Sequence, residues 1–229
     1  MQKDILIITN YFPPEKGAAA NRIFDLAKAY KNNGYEVLVV CPLPNYPKGK
    51  IFKAYKKKFL LTENTEGVKI KRLWLYASNS KNKFLRLLSM LSFGLNLFVY
   101  LLFKKTPKKV IIQCSPLFVG FFGVLISKLK GKTIILNVSD LWPLAGLQMG
   151  ILKKGFYYSL LEKIERFNYK SARLILGQSE EILEHIKFIL PKKNLCLYRN
   201  LPNFEVPKNI QSKKINEIKI VYAGLLGSR

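Results

Sequence analysis

Short apolar runs alternate with amphipathic stretches along the chain. Asp4–Thr9 reads as a buried strand. Ala18–Asn33 has helical spacing, with Ile23, Leu26, Ala27 and Tyr30 on one face and Gly34 as its stop. Tyr35–Cys41 is the next strand, Pro42–Gly49 a loop and Val68–Leu75 a third strand. Lys109–Cys114 and Thr133–Val138 read as strands around a helix at Leu117–Leu129. A helix over Lys154–Tyr169, a short strand at Leu174–Leu176, a helix over Ser179–Lys187 and a last strand at Leu195–Tyr198 complete the series. Ser179 followed by two glutamates is an N-cap pattern. Strand alternating with helix predicts an α/β fold, a parallel sheet with helices on both faces. Ligands in such sheets bind at the carboxyl ends of the strands.

One stretch breaks the regular pattern. Phe84 to Phe103 is apolar except for Arg86, Ser89, Ser92, Asn96 and Tyr100, which fall on one side of a helix. The rest of its circumference, including Leu87, Leu91 and Phe98, is apolar. About 20 apolar residues span a bilayer, so a transmembrane helix, a buried core helix and an interfacial helix all compete. Strands on either side of it belong to one sheet, which argues against a span. The expectation is a core helix whose outer face dips into the cytoplasmic leaflet.

The chain's last residues carry a separate signal. Val206–Glu217 is polar and lysine-rich, a linker pattern. Ile218–Ala223 reads as a strand, and Gly224 to Gly227 as the glycine turn that opens a helix. The expected organisation is a domain over 1–205, a linker over 206–217, and the first strand and turn of a second domain over 218–229.

Composition adds a partner class. The chain has 229 residues, 49% of them hydrophobic, enough for a well-buried domain. Cys41, Cys114 and Cys196 are scattered, without metal spacing, and suit a reducing cytoplasm. Lys3 and Asp4 precede only a strand-length apolar run, so no signal peptide is read. The net charge is +25, and no acidic residue stands between Glu66 and Asp140. Lysines, Lys104 and Lys105 among them, bracket the apolar helix. A solvated lysine-rich surface is the bland reading. Nucleic acid and an anionic lipid surface are the functional ones. Nucleic-acid binders interleave aromatic and basic residues on an exposed face, whereas here the charges flank an apolar helix, so lipid is favoured and nucleic acid is not a predicted partner.

Candidate chemistry lies in the strand-end loops. After the first strand, Asn10 leads through Pro13-Pro14-Glu15 to Gly17, Ala18, Asn21 and Arg22. Small residues at a helix start leave backbone N–H groups open to an anion. The run is not G-x-G-x-x-G, which disfavours dinucleotide binding. After Thr133–Val138 comes Ser139-Asp140-Leu141-Trp142-Pro143. Asp140, expected at the end of a buried strand, is either a turn cap or a group that binds a sugar hydroxyl or orients a reacting group. Gln178 and Asn203 occupy later loops. His185, the one histidine, reads as structural or surface, and no Cys, His and Asp cluster offers metal ligands.

Taken together these loops resemble the acceptor half of family-4 glycosyltransferases, which have the GT-B fold of two facing Rossmann-like domains. Tyr11-Phe12-Pro13-Pro14-Glu15 with Gly17 resembles the family's first loop. Pro44-Asn45-Tyr46-Pro47-Lys48-Gly49 and Asp140-Leu141-Trp142-Pro143 are similar to motifs of its capsule and O-antigen members. Gln178-Ser179-Glu180 and Pro202-Asn203 match late loops, and Ile220 to Gly224 with Gly227 resembles the opening of the donor-binding domain. The resemblance implies retaining, metal-free transfer from a nucleotide-sugar, which is a substrate rather than a cofactor. The implied acceptor is a polyprenyl-diphosphate-linked saccharide of surface-polysaccharide biosynthesis. The implied location is cytoplasmic, peripheral or monotopic on the anionic inner-membrane surface. Asp140 takes the place of a residue contacting the transferred sugar. Asn10, Gly17, Ala18, Asn21, Arg22, Trp142, Gln178 and Asn203 would line the substrates, while Arg86, Leu87, Leu91, Phe98, Lys104 and Lys105 would meet the membrane. The family's nucleotide-binding residues lie beyond Arg229, so this chain alone is expected to be inactive without a donor domain, separately encoded or otherwise. The rival reading is a non-catalytic membrane-associated module or a truncated-gene remnant.

Overall fold

The computed structural model describes residues 3–80 and 82–199. Asn203, Gly224, Gly227, the linker and the second-domain strand lie outside the described residues. Among the described residues, eight strands form one sheet in the order β3-β4-β2-β1-β5-β6-β7-β8. They are β1 (Asp4–Ile8), β2 (Glu36–Pro42), β3 (Leu60–Thr65), β4 (Val68–Leu73), β5 (Lys109–Gln113), β6 (Thr133–Val138), β7 (Leu174–Gly177) and β8 (Leu195–Leu197). All pairs are parallel except β3 with β4. Their near-continuous Val, Ile and Leu runs suit burial on both faces.

The helices are α1 (Ala18–Asn32), α2 (Lys83–Phe103), α3 (Leu117–Leu129), α4 (Leu144–Gln148), α5 (Phe156–Ser171) and α6 (Glu180–Ile189). One core joins α1 to Ile5, Ile7, Val37, Val39 and Ile70. The other, on the opposite face, joins α2, α3, α5 and α6 to Leu6, Ile8, Val110, Ile112, Leu136 and Ile175. This is the predicted α/β architecture, Rossmann-like, with helices on both faces. Strand order reverses between β1 and β5, which opens a crevice at their carboxyl ends.

The β3–β4 hairpin is absent from the sequence reading. Glu66 and Gly67 both have positive φ, +50° and +78°. That pair is the signature of a tight hairpin turn, and it was legible as Glu-Gly before Val68. β3 itself reads Leu-Leu-Thr-Glu-Asn-Thr, too polar to stand out, because it is a mostly exposed edge strand.

α2 lies on the sheet against α3, as expected of a core helix. Its polar stripe, Arg86 excepted, is turned inward. Asn96 donates to the Trp74 carbonyl at 2.9 Å, and Ser92 Oγ accepts the Tyr76 N–H at 2.9 Å. These side chains satisfy backbone groups just past the end of β4, which would otherwise be unpaired. Apart from Arg86, the exposed arc is apolar: Phe84, Leu88, Leu95, Val99, Leu102 and Phe103. Among the residues named for the membrane, Arg86, Lys104 and Lys105 are exposed, and Leu87, Leu91 and Phe98 are half-buried. Two lysines of the basic stretch do structural work instead. Lys130 Nζ donates to the carbonyls of Leu101 and Leu102 at 2.7 and 2.8 Å, capping the C-terminus of α2. Lys132 Nζ bonds the carbonyls of Thr106 and Pro107.

Candidate active site at the carboxyl edge of the sheet

The loop after β1 is shaped by two buried charges. Glu15 is almost wholly buried, and its carboxylate accepts the backbone N–H of Asn45 at 2.7 Å and of Tyr46 at 2.8 Å. The loops after β1 and β2 are thereby locked together. Burial raises the Glu15 pKa, and the three backbone donors around it oppose the rise. Arg72 on β4, also buried, reaches Glu63, the Pro13 carbonyl and Cys41 Sγ, and its guanidinium stacks 5.3 Å from the Tyr55 ring. A buried guanidinium with a full set of acceptors is a rigid anchor for the turn it holds.

Against this frame sits a groove of about 160 Å³. Asn10 and Tyr11, Asn45 to Pro47 with Gly49, and Ser78 with Asn79 line three sides. Arg86, Ser89 and Met90 from the start of α2 line the fourth. The Tyr11 and Tyr46 rings meet edge to face at 5.4 Å. Burial raises the Tyr11 pKa, keeping it a neutral hydrogen-bonding phenol. Gly49 has φ +62°, and a Cβ there would stand 2.1 Å from the Asn79 backbone nitrogen. Only glycine permits this approach of the two loops. Asn79 Nδ2 closes the same contact on the Pro47 carbonyl at 2.8 Å.

Gly17 caps the start of α1 with φ +154° and no side-chain hydrogen bond, and no acid occupies the first turn. Its Cα faces Tyr46, whose Cε1 would be 3.9 Å from an added Cβ. Ala18 and Asn21 are exposed on that turn. Arg22 is not: it is buried, donates to Ser139 Oγ, and lies 3.4 Å from Asn137 Oδ1. Burial lowers its pKa, while Tyr198 and Asp140 nearby oppose that. The guanidinium thus ties α1 to the end of β6, directly before Asp140. Beside it, Thr9 Oγ1 donates to Gln113 Oε1 under the switch point.

Asp140 is exposed rather than buried, because β6 ends at Val138 and the chain turns outward. Ser115 Oγ donates to its Oδ1 at 2.7 Å, so the loops after β5 and β6 are joined. Its charge is felt at Tyr11, Arg22, Cys114 and Tyr169, which places it centrally on the edge. Trp142 is half-buried, packed so that a Cβ on Gly146 would meet its ring at 2.8 Å. Gln178 follows β7, with its N–H on the Val138 carbonyl at 3.1 Å. Asn10, Tyr11, Arg22, Ser115, Asp140 and Gln178 therefore gather at one edge. Ser115 and Tyr46 are neighbours that the sequence reading did not assign; their place at strand ends was the available signal. Among the described residues, no three His, Cys, Asp or Glu side chains converge as metal ligands.

The Glycosyl transferase 4-like domain profile matches residues 17–197. The chain belongs to this family. No curated protein matches its sequence. Among solved structures, the glycosyltransferase domain is similar to sucrose-phosphate synthase from Thermosynechococcus elongatus, with TM-score 0.58 and 11% identity over 86% of this chain and 48% of that one. A shorter chain of the same synthase gives TM-score 0.55 and 9% identity, covering 87% of this chain and 90% of that one. The catalytic domain of starch synthase IV from Arabidopsis thaliana, bound to ADP and acarbose, gives TM-score 0.55 and 12% identity over 86% and 52%. At such identities the likeness establishes the GT-B-type fold. The chain spans about half the length of the first and third of these structures.

Proposed function

We propose that this glycosyltransferase domain is the acceptor-binding half of an enzyme that moves a sugar from a nucleotide-sugar to a lipid-linked saccharide. One observation carries the reading. The exposed arc of α2 is apolar from Phe103 back to Phe84, and its N-terminal end delivers Arg86 into the groove. A lipid tail could lie along that arc while its anionic head meets Arg86, the cation lining the groove. The groove then leads to the edge where Asp140, Tyr11 and the open helix start at Gly17 present hydrogen-bonding groups for a sugar and its phosphate. Lys104 and Lys105, exposed at the other end of α2, suit an anionic inner-membrane surface. The donor nucleotide-sugar would be held by a facing second domain, carried on the same or a separate polypeptide.

The test is binding to phosphatidylcholine vesicles doped with a polyprenyl diphosphate. Doping is expected to tighten binding, and Arg86→Gln to remove that gain while leaving binding to undoped vesicles unchanged. Equal binding with and without the diphosphate would overturn the acceptor assignment. Transfer of radiolabelled sugar to lipid, dependent on both this chain and a donor domain, tests the whole reaction.

A further inference from the structure

α5 overhangs the same edge as α2. Asn168 Nδ2 reaches Cys114 Sγ at 3.4 Å, so the last turns of α5 are level with the end of β5. At 1.5 Å per residue, its start at Phe156 projects roughly 18 Å further along the helix, past the carboxyl edge. α2 overhangs likewise, since Ser92 meets Tyr76 beyond β4 and Phe84 lies two turns earlier. The two helices flank α3: Gly94 of α2 abuts Phe122, and Phe167 of α5 packs on Phe121. Both project from one layer on one face of the sheet.

The overhanging end of α5 is apolar and exposed where the rest of the helix is basic. Phe156 is 88% exposed, and Leu160 and, in the turn before the helix, Met149 are also exposed. Further along, the exposed positions are Lys163, Arg166 and Lys170. Both glutamates of the helix are turned away from that face, Glu162 half-buried and Glu165 buried. From Leu141 to Leu161 there is no acidic residue, and exposed Lys153 and Lys154 precede the helix.

We propose that the start of α5 with the preceding turn is a second bilayer contact, selective for anionic lipid, which acts with α2 to tip the carboxyl-edge groove toward the headgroups. Apolar tips with basic flanks and no exposed acid on the same face match an anionic interface rather than a neutral one. The inference rests on the reading of α2 as the bilayer-facing helix.

Flotation of the full chain with phosphatidylcholine vesicles, with and without phosphatidylglycerol, tests it. Phe156→Ser with Leu160→Ser is expected to weaken binding to the anionic vesicles by about tenfold or more. Lys163→Gln with Arg166→Gln is expected to cost about fivefold per charge and to leave binding to neutral vesicles unchanged. Far-UV circular dichroism checks that each variant is folded. If Leu95→Ser with Val99→Ser on α2 abolishes flotation while the α5 variants float like the parent, the α5 contact is refuted and the α2 reading stands. If the parent chain does not float, both fail. If the α5 substitutions instead convert a dimer to a monomer with vesicle binding intact, the face is a self-association surface and the proposal is overturned.

Discussion

The Glu15 carboxylate holds the backbone of Tyr46 at 2.8 Å, and the same oxygen holds Asn45 at 2.7 Å. One side chain therefore sets the relative position of the two loops that form half of the groove. Its place in the Pro-Pro-Glu motif is explained by architecture, with no substrate contact needed. Glu15→Ala leaves the backbone donors of Asn45, Tyr46 and, at 3.4 Å, Phe12 unpaired, at about 1–3 kcal/mol. We expect urea denaturation to show a loss of that size. Glu15→Gln, which keeps an accepting oxygen, should lose clearly less. Equal losses would mean that the charge, not the loop hydrogen bonds, is what matters.

Gly49 and Gly131 separate two effects that usually travel together. Both have φ near +60°, but only at Gly49 would a Cβ strike backbone, whereas at Gly131 nothing lies within 4 Å. Gly131→Ala should therefore cost about 1 kcal/mol from backbone strain alone. Gly49→Ala should cost about 2–4 kcal/mol and prise the Asn79 segment off the groove wall. Thermal or urea unfolding of the pair gives the comparison, and similar values would contradict the close approach.

These two glycines also show how far the sequence could be read. Apart from β3 and the short α4, strand and helix order followed from periodicity, and α3 and β6 fall at their expected residues, because buried runs bounded by glycine and lysine are unambiguous. The direction of the α2 polar stripe did not follow. A stripe of Ser, Asn and Tyr on an apolar helix reads as the solvent side until one knows that unpaired backbone at Trp74 and Tyr76 waits beneath it. Asp140 was legible as a strand-end carboxylate, but its exposure depends on where β6 stops. Arg22 looked like a substrate cation on a helix start, and only the fold brings it to Ser139 just past β6. Long-range partners of this kind leave no local pattern.

Ser115 and Asp140 provide a direct test of the edge as a reaction site. Asp140 is exposed, so Asp140→Asn should leave stability within about 0.5 kcal/mol. If it touches the transferred sugar, turnover in the donor-complemented assay should fall about a hundredfold or more. Ser115→Ala frees the carboxylate without removing it, and a loss of about tenfold is expected from lost orientation. Full activity in both variants would move the chemistry elsewhere on the edge.

Lys130, like Lys132 and the buried Arg72, is a structural member of a mostly exposed basic stretch. It reaches the Leu101, Leu102 and Lys104 carbonyls, which have no further turn of helix to bond them. Lys130→Met should cost about 1–2 kcal/mol, whereas Lys105→Met, exposed, should cost almost nothing. Vesicle binding should rank the two the other way, with Lys105 mattering more.

Glu165 makes folding stability depend on pH in an uncommon direction. It is 4% exposed beneath α6, where burial pushes its pKa up to about 7, partly opposed by the Tyr169 hydroxyl that donates to it at 2.9 Å. His185 Nε2 stands 3.7 Å away, but burial lowers its pKa, so it is neutral at pH 7 and supplies no compensating charge. The folded carboxyl thus holds its proton over a range where the unfolded one, near 4.5, has lost it. Folding takes up a proton there, so stability falls as pH rises from about 4.5 through 7 and is level above. The full effect is on the order of 3 kcal/mol, since each pKa unit is about 1.4 kcal/mol. Glu165→Gln keeps an acceptor for Tyr169 and removes the titration. The variant should match the parent at pH 5 and exceed it at pH 8 by about 2–3 kcal/mol in urea unfolding. Parallel stability curves across that range would show that Glu165 ionises normally in the folded chain.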